Sequence, residues 1–397
     1  MTAAQRQDDA AARRVDFPFR RPGESFPPPG YAEYRKREGL VWSMMPGGQR
    51  VWLLTRYEDV RAALTHPHLS SDSRHDGFPT PGRTGGAPSQ TQIPGWFATL
   101  DPPEHDRYRK VLLHDFTARR MKELRPRIRQ VVEDCVESLI AKGSPADLVA
   151  DFAVPVPSLV ICELLGVPRA DRGFFESRIS VLVTLSATDD QRDRATTELL
   201  RYLSRMITIK QRRPGDDLIS VMIGSGALTP MEIGGAALLL LIAGQETTAN
   251  NIALGAVTLM SHREWLGDDG IVEELLRFYS VADLVPLRVA VADLEIGGQL
   301  IRAGEGVAPL VAAANYDDTR FACPHAFDPH RPAGGHMAFG HGRHKCLGQH
   351  LVRVEMELAY RVLFDRLPTL ELACPAEELP YKDDGVLYGL AALPVRW

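Results

Sequence analysis

Phe339-Gly340-His341-Gly342-Arg343-His344-Lys345-Cys346-Leu347-Gly348 is the stretch on which the reading of this chain turns. One cysteine follows two glycines and a phenylalanine, and a further glycine stands two places on. Glycine tolerates backbone conformations closed to other residues and lets a flat partner approach the main chain. Such a loop can hold a thiolate rigid with backbone N–H groups turned to its sulfur, as a soft, redox-active metal centre requires. Read alone, the stretch leaves several fates open. Cys346 could be an inert buried thiol, a zinc ligand beside His341 and His344 with help from His336 or His350, or the ligand of a different metal.

The chain has 397 residues, 44% hydrophobic and 24% charged, which suits a soluble globular protein with a large core. A net charge of -5 gives no footprint for nucleic acid. Five cysteines, odd in number and irregularly spaced, argue against a disulfide framework and for a reducing cytoplasm. Met1 to Arg21 is polar and lacks the apolar centre of a signal peptide, and the longest apolar run, Ala236 to Ala243, is too short to span a bilayer. The expectation is a soluble cytoplasmic protein, taken as a monomer, with neither nucleic-acid nor membrane partners. Residues 1–16 read as a flexible leader and 17–397 as a single domain.

Helical patterns dominate. Gly30 to Gly39 reads as a short helix after a Pro-rich lead-in (Pro22 to Pro29), Val51 to Leu54 as a strand and Tyr57 to Thr65 as a helix. Asp72 to Pro94 is a long Gly/Pro/Ser/Thr loop, and Phe78, Ile93, Trp96 and Phe97 in and after it suggest a lid. Asp101-Pro102-Pro103-Glu104 reads as a helix start with Asp101 as N-cap. His105 and Arg109, four apart, share a face of that helix, where they could grip an anion or simply face solvent. Further helices are expected over Ala118–Lys142, Phe152–Leu165, Asp171–Leu185 and Gln191–Arg212, the last two separated by a polar break that suits a second part of a lid. Ile271–Tyr279 carries Glu274 and Arg277 at i, i+3, a pair that on its own reads as surface decoration. Short strands follow at Val285–Ala290, Leu294–Ile296 and Gln299–Ile301, then a last long helix over Leu347–Leu367 and a coil-and-strand tail.

Thr229-Pro230-Met231-Glu232 is a capping box that opens a helix running to about Ser261, roughly 48 Å at 1.5 Å per residue. The helix is apolar on all sides at Ala236 to Ala243 and then turns polar at Gly244-Gln245-Glu246-Thr247-Thr248. Buried polar groups are costly without partners, so they ask for a reason. A threonine hydroxyl bonded back to the Ala243 carbonyl would bend the helix, and Gly244 would leave room for a small ligand or water. A structural kink without chemistry would look the same. The fold class is mainly α with a minor β portion near both ends. No β-α-β alternation, dinucleotide fingerprint or P-loop is present, so direct NAD or ATP binding has no support.

In this order, these features resemble the cytochrome P-450 superfamily, in particular its soluble bacterial branch from natural-product pathways. The resemblance covers nearly the whole chain and implies the helix-rich haem-enclosing prism with small β-sheets. The opening stretch matches the family's F-G-x-G-x-H-x-C-x-G loop. That match implies Cys346 as axial thiolate to the iron of haem b, with Phe339 beside the sulfur and Gly340, Gly342 and Gly348 shaping the loop. Ala243 to Thr248 is similar to the A-G-x-[DE]-T-[ST] motif, in which Thr247 would hold dioxygen and water and Glu246 would take part in proton delivery. Glu274 and Arg277 match E-x-x-R, buried and structural in the family. His105, Arg109, Arg288 and His344 fall where the family binds the haem propionates.

The resemblance therefore implies a haem-thiolate monooxygenase that takes electrons from NAD(P)H through ferredoxin reductase and ferredoxin. It would hydroxylate or epoxidise an apolar small molecule, a polyketide or macrolide or a terpenoid of antibiotic-type secondary metabolism. The pocket is expected from Gly77–Phe97, Phe174–Ala187, Leu239–Thr248, Asp283–Arg288 and Leu387–Leu390. A ferredoxin would dock by its acidic surface on Lys110, Arg119, Arg120, Lys122, Arg343, Lys345 and Arg353. Competing readings are a peroxide-using haem-thiolate oxidase and a non-catalytic haem-based sensor; the retained Glu246-Thr247 pair speaks against both. Two departures stand out. The 262–273 segment is short, so the helix before E-x-x-R is largely missing, and Cys323-Pro324 stands where an acidic residue usually precedes proline.

Overall fold

The structure is a computed structural model that describes residues 14–15, 27–45, 49–79, 93–184, 186–382 and 387–397. The leader apart from Arg14 and Val15, the lead-in before Pro27, the centre of the Asp72–Pro94 loop and Leu185 lie outside these residues. Arg14 and Val15 run beside the first strand, where the Val15 N–H donates to Trp42 O at 2.9 Å and Ser43 Oγ to Val15 O at 2.6 Å.

Among the described residues the helices are α1 (Gly30–Lys36), α2 (Tyr57–Thr65), α3 (Glu104–Leu112), α4 (Ala118–Lys142), α5 (Pro155–Leu165), α6 (Arg172–Val183), α7 (Asp189–Arg212), α8 (Leu218–Gly224), α9 (Pro230–Ser261), α10 (Ile271–Tyr279), α11 (Val311–Asn315) and α12 (Gln349–Arg366). The strands are β1 (Val41–Met44), β2 (Arg50–Leu54), β3 (Leu69–Ser70), β4 (Ala146–Asp147), β5 (Arg288–Ala290), β6 (Leu294–Ile296), β7 (Gln299–Ile301), β8 (Gly306–Pro309), β9 (Glu371–Leu372) and β10 (Pro394–Arg396). They form a five-stranded sheet in the order β1-β2-β8-β5-β3, a three-stranded sheet β4-β10-β9 and the β6-β7 hairpin. Mainly α with a minor β portion is therefore the observed class.

The apolar middle of α9 passes through the core, as its uniform hydrophobicity demands. Every residue from Ile233 to Leu241 is buried, and the helix packs on α5, α7 and α12. Its capping box is formed, with the Glu232 N–H donating to Thr229 Oγ1 and the Thr229 N–H to Glu232 Oε2. A second capping box, Thr188 with Gln191, starts α7 two residues earlier than expected. The start of α3 differs more. Asp101 is not its N-cap; the helix begins at Glu104, and the Asp101 carboxylate instead accepts from Ser70 Oγ at 2.5 Å and the Ser71 N–H at 2.9 Å. That bond ties the approach to α3 onto β3. Strand β8, buried at all four positions between β2 and β5, and the short α11 are elements that no periodicity announced.

Glu274 and Arg277 overturn the bare surface reading, because both side chains are fully buried. Arg277 donates Nε to Glu274 Oε2 at 2.7 Å and Nη2 to Oε1 at 2.8 Å. Its remaining N–H groups reach Asn315 O at 2.8 Å and Pro324 O at 3.1 Å, so α10 is tied to α11 and to the Cys323-Pro324 turn. Arg331 Nε and the Asp328 N–H add bonds to Glu274 Oε1 at 3.3 and 3.1 Å. In the 262–273 segment a single 3-10 turn, Arg263–Trp265, precedes α10.

Removing one member of such a pair leaves the other charge buried and unpaired. Glu274→Ala should therefore lower folding stability by about 3–5 kcal/mol. Urea unfolding checks this, and a loss below about 1 kcal/mol would show that the pair behaves like a surface ion pair.

Candidate functional site

The Cys346 loop is built by backbone geometry. Gly340 and Gly342 take left-handed φ of 68° and 72°. A side chain at Gly342 would stand 2.8 Å from Thr65 Cγ2 and 3.1 Å from Leu64 O, so only glycine lets the loop lie against α2. The Cys346 N–H donates to Phe339 O at 2.8 Å, which closes the loop, and the Gly348 N–H points at the sulfur. Burial pushes the thiol up, against the opposing pull of that N–H and of Arg109, Arg353 and Lys345. Phe339 is covered by the Arg353 guanidinium, 4.7 Å from its ring centre.

One residue that sequence reading missed holds this loop from behind. Glu273 accepts from Arg353 Nε at 2.5 Å and Nη2 at 3.0 Å, and it contacts His336 Nε2 at 3.1 Å. Standing next to Glu274 in a charged dipeptide, Glu273 carried no distinguishing signal.

The four side chains expected to bind propionates lie around one place. The His105 and His344 rings are 4.2 Å apart. Arg109 donates to Lys345 O at 2.7 Å, which ties α3 to the cysteine loop, and buried Arg288 donates to Leu287 O at 2.8 Å. At His344, repulsion from its neighbours adds to burial. Burial first, then Arg288, His105, Arg109 and Arg343, bring His344 down to about 2. Burial brings Arg288 down to about 10, with Asp101 opposing it. Positive and neutral donors thus outnumber the carboxylates around them, Asp101 and Asp106, the latter bonded to His105 Nδ1 at 2.8 Å. Such a cluster suits a dianion.

Between Leu241 and Ala256 of α9, only Ile242, Ala243, Gly244 and Thr247 are not buried. Ala243, with Gly244 and Thr247 beside it, is therefore the least covered part of the core helix. Thr247 Oγ1 donates to Ala243 O at 2.7 Å, and the helix runs through without a break. The side of Gly244 on which a Cβ would stand faces Ile161 of α5 at 3.3 Å, so that space serves helix packing rather than a ligand. Glu246 is buried and paired with Lys382, a contact 136 positions distant that nothing in the sequence indicated.

Among the described residues no group of three or more His, Cys, Asp and Glu could hold a metal ion. His336, His341, His344 and His350 therefore do not gather with Cys346 as a zinc site. A single thiol, a dianion-binding cluster and a flat open side of a helix fit instead a planar dianionic ligand with a soft metal at its centre. On the surface beside the loop lies a groove of about 470 Å³, lined among others by Arg61, Arg320, Lys345, Arg353, Glu58 and Glu273.

Residues 269–386 match the family model described as cytochrome P-450. The chain is 42% identical over 395 residues to pentalenic acid synthase from Streptomyces avermitilis, covering 96% of this chain and 97% of that one. It is 41% identical over 384 residues to the vitamin D3 dihydroxylase of Streptomyces griseolus, covering 93% and 94%. Among solved structures, the mycinamicin VIII C21 methyl hydroxylase of Micromonospora griseorubida bound to mycinamicin VIII superposes with a TM-score of 0.87 at 36% identity, covering 96% of this chain and 99% of that one.

The support behind the cysteine loop is open to test by acid. Burial works against ionisation of Glu273, but His336 and Arg353 outweigh it and bring the carboxyl from 4.5 down to about 2. A depressed value contributes stability that is present above the unfolded value and is lost as pH falls through the folded one. Glu273→Gln should melt lower than the parent at pH 7, and the gap should narrow as pH falls from 4.5 towards 2. A gap independent of pH in thermal melts would take the charge of Glu273 out of the account.

Proposed function

The chain belongs to the cytochrome P-450 family of monooxygenases, and on that premise we propose that Cys346 is the thiolate ligand of its haem. The substrate is an apolar natural product, a macrolide or other polyketide or a terpenoid, and the default outcome is hydroxylation. Electrons arrive from NAD(P)H through ferredoxin reductase and ferredoxin. The observation that carries this reading is the junction of the Cys346 loop with the His105, Arg109, Arg288 and His344 cluster, bridged by the bond from Arg109 to Lys345 O.

Bound haem supplies the centre at which dioxygen is reduced and split, and thiolate ligation favours O–O cleavage, as is general for this family. The chain's own residues do the rest. His105, Arg109, Arg288 and His344 hold the two propionates and are relieved of their mutual repulsion. The Gly348 N–H at the sulfur and the Arg353–Phe339 stack orient the thiolate. Thr247 commits its hydroxyl proton to Ala243 O, which leaves its oxygen free to accept from a proton-carrying water. Glu246, one residue earlier, is the acid that brings protons to that side of the helix.

Substrate class rests on the relatives, whose names include a pentalenic acid synthase and a mycinamicin hydroxylase. The apolar run Leu239, Leu240, Ile242 and Ala243, just before Thr247 on α9, supports an apolar substrate. For ferredoxin, Lys110, Lys122 and Arg343 are exposed towards an incoming acidic surface. Arg119, Arg120 and Arg353 are engaged with acids of this chain, so they contribute less.

The reduced, CO-treated protein should show the thiolate-type absorption band, and Cys346→Ala should lose it; an unchanged band in the variant would overturn the ligand assignment. Mycinamicin VIII and vitamin D3, titrated against the haem absorption band, should shift it if the pocket takes bulky apolar molecules. Lys110→Glu with Arg343→Glu should raise the ferredoxin concentration for half-maximal reduction about tenfold at low salt, an effect that high salt removes. Reduction kinetics that match the parent would place docking elsewhere.

A further inference from the structure

Glu246 and Thr247 are neighbours on α9, and consecutive residues of a helix do not face each other. Thr247 lies on the open side, whereas the Glu246 carboxylate is buried and turned towards Lys382. Lys382 Nζ also donates to Asn250 Oδ1 at 2.9 Å, and Asn250 stands four residues beyond Glu246 on the same face. The lysine side chain is itself 23% exposed, so its head is drawn inwards while one side still meets solvent.

Lys382 is placed by contacts that do not involve the ion pair. Its N–H donates to Gly389 O at 2.9 Å, and the Ala391 N–H donates to Pro380 O at 2.7 Å. The Tyr381 and Tyr388 rings stack at 5.8 Å, and the Tyr388 N–H donates to Val281 O at 3.0 Å. Gly389 lies so close to α9 that a Cβ there would stand 2.1 Å from Asn250 Oδ1. The segment around Lys382 is therefore docked on the polar centre of α9 without help from the charges. A desolvated ion pair added to a contact already made adds little to docking, since burying both charges offsets much of their attraction. Its charge has another use.

We infer that Lys382 is a positioning residue for proton delivery: it holds the Glu246 carboxylate in a route that runs from solvent at Lys382 and Asn250, through Glu246, to the Thr247 side of α9. This rests on the reading above that Glu246 supplies protons to the oxygen chemistry. The stoichiometry makes the role measurable. Reduction of dioxygen by one NAD(P)H takes two protons and releases hydrogen peroxide; reduction by two takes four protons and releases two waters. An acid out of position starves the later protonations and favours peroxide.

The test compares holoenzymes of the parent, Lys382→Met, Lys382→Arg, Glu246→Gln and the Lys382→Met/Glu246→Gln double variant, with ferredoxin, its reductase and NAD(P)H and no added substrate. The ratio of peroxide to water, from oxygen and NAD(P)H consumed, should rise about tenfold in Lys382→Met. It should return close to the parent in Lys382→Arg and rise no further in the double variant. The melting-temperature losses of the two single variants should be non-additive, which shows independently of turnover that the pair exists in solution. Non-additive melting with an unchanged peroxide ratio makes the pair a staple only and overturns the inference, as do additive losses. If Lys382→Met does not fold, Lys382→Gln, which keeps a hydrogen-bond donor and removes the charge, takes its place under the same criteria. A parent that consumes no oxygen, or lacks the thiolate-type band, fails the functional reading itself; an active parent with a silent Lys382 variant fails only this inference.

Discussion

The buried Glu274–Arg277 pair is the constraint on which the rest of the structure depends. Two charges without exposure are tolerable only when every remaining donor and acceptor is met. Here Arg277 reaches two main-chain carbonyls, and Glu274 takes further bonds from Asp328 and Arg331. Those partners come from α11 and from the irregular chain that leads into the cysteine loop. The next residue, Glu273, extends the same support through Arg353 and His336 to Phe339. One turn of α10 thereby sets where the sulfur of Cys346 stands relative to the core.

Around the opposite rim the physics is repulsive. His105, Arg109, Arg288 and His344 come from three separated parts of the chain and meet with few carboxylates between them. The low value of His344, brought down by burial and then by Arg288, His105, Arg109 and Arg343, records what that assembly costs. Bonds to main-chain carbonyls hold the two arginines in place, and in the proposed holoenzyme the haem propionates would turn the repulsion into binding. The same division of labour appears in α9, which is apolar where it meets α5, α7 and α12 and is open on the one narrow side that bears Ala243 and Thr247.

Much of this was legible in the chain itself. The capping box at Thr229, the limits of α2, α4 and α10, and the hairpin at Leu294–Ile301 follow from cap residues and periodicity, because those signals are local and the structure does not contradict them. The Cys346 loop was legible as a motif, since the left-handed backbone at Gly340 and Gly342 is a local demand, although the approach of Gly342 to α2 is not. Asp101 was misread because an aspartate before two prolines is a good cap locally, yet a strand that arrives from elsewhere competes for its carboxylate and wins. Strand β8 went unseen because a strand buried on both faces has no alternation.

The sequence by itself determined the helical class, the core helix with a polar centre, and the one cysteine in a conformationally special loop. It left the surroundings of those residues undetermined. The burial of Glu274 and Arg277 and the gathering of four cationic or donor side chains came only from the family resemblance and not from local pattern, and that Glu273 supports the loop and Glu246 is met by Lys382 was decided only by the tertiary structure. The physical reason is that burial and electrostatic partnership belong to pairs of residues far apart in the chain. No local pattern encodes them, and the same i, i+3 ion pair reads alike on a surface and in a core.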